Sequence, residues 1–223
     1  MVTWLSAEPP DIQAIAEEES YRILRSRIDL TRLPKFSRDV TERLIHASGD
    51  FDYATDLVCD EESMAAAVRA LAAGAPVIAD AATVAAGIVS CPVICKVDEP
   101  LTRRLARTAG ITRAAAAVRL AYGEAGPGSV WVIGGAATAL REVLSRSVEP
   151  AFVIGLPAGF VGAAEAKDAL RASGLPALTN VTEKGGAVVA AAALEALLLS
   201  AAAIRAARQS GGAEAGQPRG GAG

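Results

Sequence analysis

A chain of 223 residues with 22 Lys and Arg against 25 Asp and Glu, a net charge of -3, has no cationic excess to neutralise a phosphate backbone, so no general nucleic-acid partner is expected, although local basic pockets remain open. Its hydrophobic content is 52% and its aromatic content only 4%, so one domain must be filled by Ala, Val, Leu and Ile, with helices approaching a buried parallel sheet closely. Three cysteines, Cys59, Cys91 and Cys95, are odd in number and lack a paired metal spacing. Neither a disulfide framework nor a metal site is expected, and a reduced cytoplasmic setting is the default.

Met1 to Pro10 has no basic stretch followed by an apolar run, so no ordinary secretory signal is expected there. From Asp11 to Ile28, Ile12, Ile15, Tyr21, Ile23 and Leu24 recur at helical spacing opposite acidic residues and predict an opening helix. A second helix is predicted from about Val40 to Gly49, which places His46 in its last turn. Glu61 to Ala73 gives a third helix closed by Gly74, followed by a strand at Ala75 to Ala79 and another at Pro92 to Val97. Helices at Leu101 to Ala109 and Thr112 to Tyr122 lead to a strand at Ser129 to Ile133. Beyond it come a helix at Ala136 to Ser145, a strand at Ala151 to Ile154, a helix at Ala163 to Ala172, a strand near Ala177 to Val181 and a long last helix.

This alternation predicts an open, mostly parallel sheet with helices on both faces, three layers in one α/β domain over residues 1–208, with ligands beyond the strand C-termini. The apolar stretch Gly186 to Ala207 contains Glu195 and reads as a packed helix rather than a membrane span. Residues 209–223, rich in Gly and Ala, read as a disordered tail.

Three groups of residues carry chemistry. Arg43 and His46 are three apart, share a helix face and can reach one ligand together. His46 is the only histidine in the chain, and a helix C-terminus suits a cation. The glycines of Ile154 to Lys167, with Gly134-Gly135 and Gly185-Gly186, lie in strand-to-helix loops. They serve either to bring backbone N–H groups to an anion or simply to make tight turns. Neither the dinucleotide spacing nor the phosphate-loop spacing is present, so nucleotide binding has no motif behind it. Thr112 reads as a helix N-cap beside Arg113, which can face an anion, and Asp80 either orients a ligand or caps the helix that follows.

With these residues in view, the chain resembles the precorrin-8X methylmutase family from about Ser20 to Leu194. The resemblance rests on Arg43-Leu44-Ile45-His46-Ala47-x-Gly49, Gly74-Ala75-Pro76 with Asp80, Thr112-Arg113, Thr138-Ala139-Leu140 and, most specifically, Gly159 to Lys167. It implies a homodimer that moves a methyl group from C-11 to C-12 of a precorrin macrocycle, giving hydrogenobyrinate, with no cofactor. It also implies His46 as the catalytic acid/base, and Ser20, Arg43 and Arg113 as residues that bind a polycarboxylate tetrapyrrole; Asp80, Gly159, Gly162 and Lys167, within the matching motifs, are expected to bind it as well.

The chain departs from the family pattern at Gly134-Gly135-Ala136-Ala137, where Gly-Asn-x-Pro is usual, and at Val181-Thr182-Glu183, where Arg-Gly-Arg is usual. These changes thin the cationic set and motivate a second reading, a paralogue that holds a tetrapyrrole without turning it over.

Overall fold

The computed structural model describes residues 12–146 and 148–214, with side chains described between 15 and 209 apart from 147. The elements run α1 (Ile12–Arg27), α2 (Lys35–Ser48), α3 (Tyr53–Asp56), β1 (Leu57–Cys59), α4 (Glu61–Ala72), β2 (Val77–Ala79), α5 (Ala82–Ala86), α6 (Pro100–Ala109) and α7 (Arg113–Ala125). After these come β3 (Val130–Ile133), α8 (Ala137–Ser145), β4 (Phe152–Gly155), α9 (Ala163–Ala172), β5 (Ala177–Asn180) and α10 (Ala187–Glu214).

The five strands form one sheet in the order β1-β5-β4-β3-β2. The four from β2 to β5 are parallel, and β1 pairs antiparallel with β5 at the edge. β3 and β4 are unbroken apolar runs, buried along their whole length, as strands covered on both faces must be. The chain steps from β2 to β5 in one direction, so right-handed crossovers put α7, α8 and α9 on one face. There Val118, Leu140, Val143 and Leu170 bury Ile78, Trp131, Ile133 and Val153. On the other face Leu44, Val68, Leu194 and Leu197 cover Val77, Val130, Val132, Phe152 and Ile154. The three layers are those expected from the sequence, but the strand order never reverses, so the sheet has no switch-point crevice.

Close approach is built from small residues, as the composition implies. A Cβ on Gly134 would stand 2.6 Å from Ala190 Cβ and 2.9 Å from Gly186 O, so glycine lets α10 start directly against the end of β3. Ala187–Gln209 is long and apolar enough to cross a membrane, and half of its most apolar window is buried in the domain, where α10 packs on α2 and α4. Glu195 within it accepts bonds from Val89 N at 2.7 Å, Ser90 N at 3.1 Å and the Ser90 hydroxyl. The charge thereby pins the loop that crosses α10.

Four differences from the sequence reading have physical causes. α2 starts at Lys35 rather than near Val40, because its first turn is capped from another helix. Glu61 accepts from Phe36 N at 2.8 Å, Ser37 N at 3.0 Å and Ser37 Oγ at 2.8 Å. The strand expected at Pro92 to Val97 is a single bridge between Ile94 and Ile78, since Pro92 has no N–H to donate. α3, β1 and α5 are three to five residues long, too short for periodicity to register. α10 extends to Glu214, past the expected start of the tail, and residues 215–223 lie outside the described residues.

Candidate active site

The last turn of α2 is closed by Gly49, left-handed at φ 70°, whose N–H donates to Ile45 O at 2.7 Å. Across this turn lies α1, which joins α2 through a polar ladder. Glu17, Tyr21 and Arg25, spaced four apart and so on one face, meet Arg43, His46 and Glu42. Arg43 Nη1 lies 2.6 Å from Glu17 Oε1 and donates to the Tyr21 hydroxyl at 3.2 Å, and Arg25 Nη2 lies 2.7 Å from Glu42 Oε2. Bonding to the Tyr21 hydroxyl, and then to Glu17, raises the Arg43 pKa despite its partial burial.

His46 is half-buried. Its Nδ1 is 3.0 Å from Ser20 Oγ, and its ring stacks on Tyr21 with centroids 4.6 Å apart and planes 7° apart. Nε2 has no partner among the described residues and is the nitrogen left to exchange a proton. A hydroxyl oxygen accepts from Nδ1–H in both the cationic and the neutral ring, so this anchor survives the loss of a proton from Nε2.

The C-termini of the parallel strands β4 and β5 lie at the same end of the molecule as the last turn of α2. Gly159 N donates to Glu183 O at 3.0 Å and Gly186 N to Leu156 O at 2.7 Å, so the glycine loops meet one another. Lys184, between them, reaches Asp50 Oδ2 at 2.7 Å and Asp52 Oδ2 at 2.5 Å, just beyond α2. Gly159 and Gly162 have φ of 142° and 77°, which accounts for glycine at both, and between them Phe160 and Val161 are each 92% exposed.

Of the residues expected in the site, the chain itself brings together Ser20, Arg43 and His46. Arg113 opens α7 in the opposite layer, exposed and 3.8 Å from Asp98. Thr112 is its N-cap as expected, accepting from Ala115 N at 3.2 Å.

Asp80 and Lys167 are both held by partners within the chain. Asp80 is 2% exposed and accepts from Gly134 N, Gly135 N and Ala136 N at 3.0, 3.0 and 2.8 Å. It therefore holds the loop between β3 and α8 rather than capping α5, and desolvation raises its pKa. Lys167 is wholly buried and donates to Asn180 Oδ1 at 2.9 Å, to Lys184 O at 2.8 Å and to Thr182 O. Its ammonium clamps the loop between β5 and α10, and burial lowers its pKa to about 8. Sequence reasoning missed Tyr21, which it assigned to an apolar helix face. The spacing of Glu17, Tyr21 and Arg25 was the signal that could have found it.

A groove of about 720 Å³ begins at Tyr21 and Arg43 and follows α10 past Glu195, Leu198 and Leu199. His46 is not in its lining. The volume is in the range of small-molecule sites, roughly 300–1,000 Å³.

Fold and site define a three-layer α/β protein with one imidazole, unpartnered at Nε2 among the described residues, next to a charged guanidinium. Residues 15–200 match the family model described as precorrin-8X methylmutase, and the chain belongs to that family. A precorrin-8X methylmutase from Sinorhizobium sp is 40% identical over 163 residues, 69% of this chain and 77% of the relative. A cobalt-precorrin-8 methylmutase from Methanocaldococcus jannaschii is 37% identical over 155 residues, 68% and 73% of the two chains. The solved precorrin-8x methyl mutase from Thermus thermophilus superposes with a TM-score of 0.76 at 32% identity, covering 85% of this chain and 98% of its own.

Proposed function

We propose that this chain is an isomerase of cobalamin biosynthesis that moves a methyl group from C-11 to C-12 of precorrin-8X, giving hydrogenobyrinate, with His46 as its acid/base. The observation that carries the assignment of His46 is the imidazole itself, held at Nδ1 by Ser20 with Nε2 unpartnered among the described residues. The rearrangement has no leaving group. It needs a proton source and a pocket that holds the ring geometry. His46 lends a proton from Nε2 to the conjugated macrocycle, the methyl group migrates to the adjacent carbon as the ring electrons shift, and the proton returns to Nε2, so nothing is consumed. Arg43 receives a substrate carboxylate, a charged contact contributing roughly 1.5–3 kcal/mol.

A homodimer completes the site in this reading. His46 lies outside the lining of the groove along α10, and the apolar tip at Phe160 and Val161 is 92% exposed at each residue, which favours a second copy covering the strand-end face. Arg113 and the loop at Gly159 and Gly162 then bind further carboxylates in the closed assembly. The free thiols of Cys59, Cys91 and Cys95 support a reduced, cytoplasmic setting.

The test is to incubate purified protein with precorrin-8X and, separately, with cobalt-precorrin-8, following the visible spectrum. Conversion of either supports the isomerase and names the metal state of its substrate. Tight binding of hydrogenobyrinate with no turnover of either would replace this reading with the tetrapyrrole-holding one.

A further inference from the structure

The acid/base assignment uses Ser20, Arg43 and His46 but leaves the side chain between them without a role. Tyr21 touches both functional groups. Its ring stacks on the imidazole with centroids 4.6 Å apart and planes 7° from parallel, and its hydroxyl accepts from Arg43 Nη1 at 3.2 Å. We propose that Tyr21 is a positioning residue that sets the plane of the His46 ring and, through its hydroxyl, the direction of the Arg43 guanidinium, so that proton donor and carboxylate receptor are held as one unit. The proposal rests on the acid/base reading of His46 and deepens it.

A hydrogen bond at Nδ1 anchors the imidazole at one point. The terminal torsion of histidine is broad, so rotation about that anchor would still swing Nε2. A parallel aromatic ring removes this freedom, because an offset stack has a preferred interplanar geometry. Tyr21 is itself held. Arg25, one turn further along α1, has its guanidinium carbon 5.5 Å from the Tyr21 ring centroid and is tied to Glu42 of α2 at 2.7 Å. Glu17, one turn earlier, holds the same Arg43 nitrogen at 2.6 Å. Tyr21 also lines the groove that begins at Arg43, where a ligand carboxylate would meet the guanidinium.

The plainer role for Tyr21 is to pack α1 on α2, and two substitutions separate the two. Tyr21→Phe keeps the ring and removes the hydroxyl. It should raise KM for precorrin-8X roughly 3-fold to 10-fold with kcat within about 2-fold, the pattern of a lost binding contact. Tyr21→Leu keeps apolar volume and removes the stack, and should lower kcat about 10-fold or more, with Tyr21→Phe restoring most of it.

The chain has a single histidine, so its imidazole C–H resonances need no assignment. Shielding by the parallel ring should persist in Tyr21→Phe and vanish in Tyr21→Leu as a downfield move. This readout does not depend on turnover, whereas the acid/base reading stands or falls on conversion by the wild type. Wild-type kcat in Tyr21→Leu, unmoved imidazole resonances, or equal loss of thermal stability in both variants with KM and kcat unchanged would each overturn the proposal. If Tyr21→Leu does not fold, an unchanged KM in Tyr21→Phe overturns it alone.

Discussion

Ser20 Oγ and His46 Nδ1, 26 residues apart in the chain, stand 3.0 Å from each other where α1 crosses the last turn of α2. The contact leaves Nε2 as the nitrogen without a partner among the described residues, and it ties α1 to α2 although, among the described residues, α1 buries little beyond Leu24.

Removing that anchor should affect turnover more than binding. Replacing Ser20 by Ala forfeits a hydrogen bond contributing about 0.5–1.5 kcal/mol, so kcat should fall roughly 3-fold to 10-fold with KM little changed. Steady-state kinetics on precorrin-8X check this, and an unaltered kcat would remove Ser20 from the mechanism.

The cap on α2 by Glu61 predicts a loss of stability without a loss of intrinsic activity. Glu61→Ala leaves Phe36 N and Ser37 N without their acceptor and should cost about 0.5–2 kcal/mol, the usual range for a lost cap. Urea denaturation measures it. An unmoved midpoint would show that solvent or another group replaces the carboxylate.

That cap also shows where the sequence was legible and where it was not. The periodic runs of α4, α7, α9 and α10 and the apolar strands β2 to β5 are local signals, and they suffice for the layers and for His46 in a final helical turn closed by Gly49. Glu61 acts on a helix that begins 26 residues before it, Asp80 caps a turn 54 to 56 residues away, and Lys167 spends its donors on the loop after β5. No local pattern distinguishes such buried anchors from ligand contacts, so Asp80 and Lys167 were expected to touch substrate. Tyr21 was read as core for the same reason, since its spacing fits an apolar face and a polar ladder alike.

Lys167 should give stability a distinctive pH dependence. Desolvation depresses its folded-state pKa to about 8 from 10.5, so between those values the unfolded chain binds more protons and the contribution of Lys167 becomes more favourable as pH rises. In Lys167→Met that slope disappears, and the carbonyl and amide acceptors left unpaired should cost about 1–3 kcal/mol. Urea midpoints of both proteins at pH 7, 8 and 9 test this. A difference that does not grow above pH 8 would contradict it.

The exposed tip between Gly159 and Gly162 carries the proposed homodimer. Phe160→Ser combined with Val161→Ser should shift sedimentation toward the monomer while leaving the fold intact, because neither side chain is buried in the single chain. A wild type that sediments as a monomer at micromolar concentration would dismiss the dimer, and a double variant that stays dimeric would place the interface elsewhere.

The most direct measurement is single-turnover conversion of precorrin-8X by His46→Ala beside the wild type, with hydrogenobyrinate binding measured on both. Loss of the acid/base should slow conversion about 10²-fold to 10⁴-fold while binding of the product persists, because Arg43 and its partners remain. Undiminished conversion by His46→Ala would contradict the role of the imidazole outright.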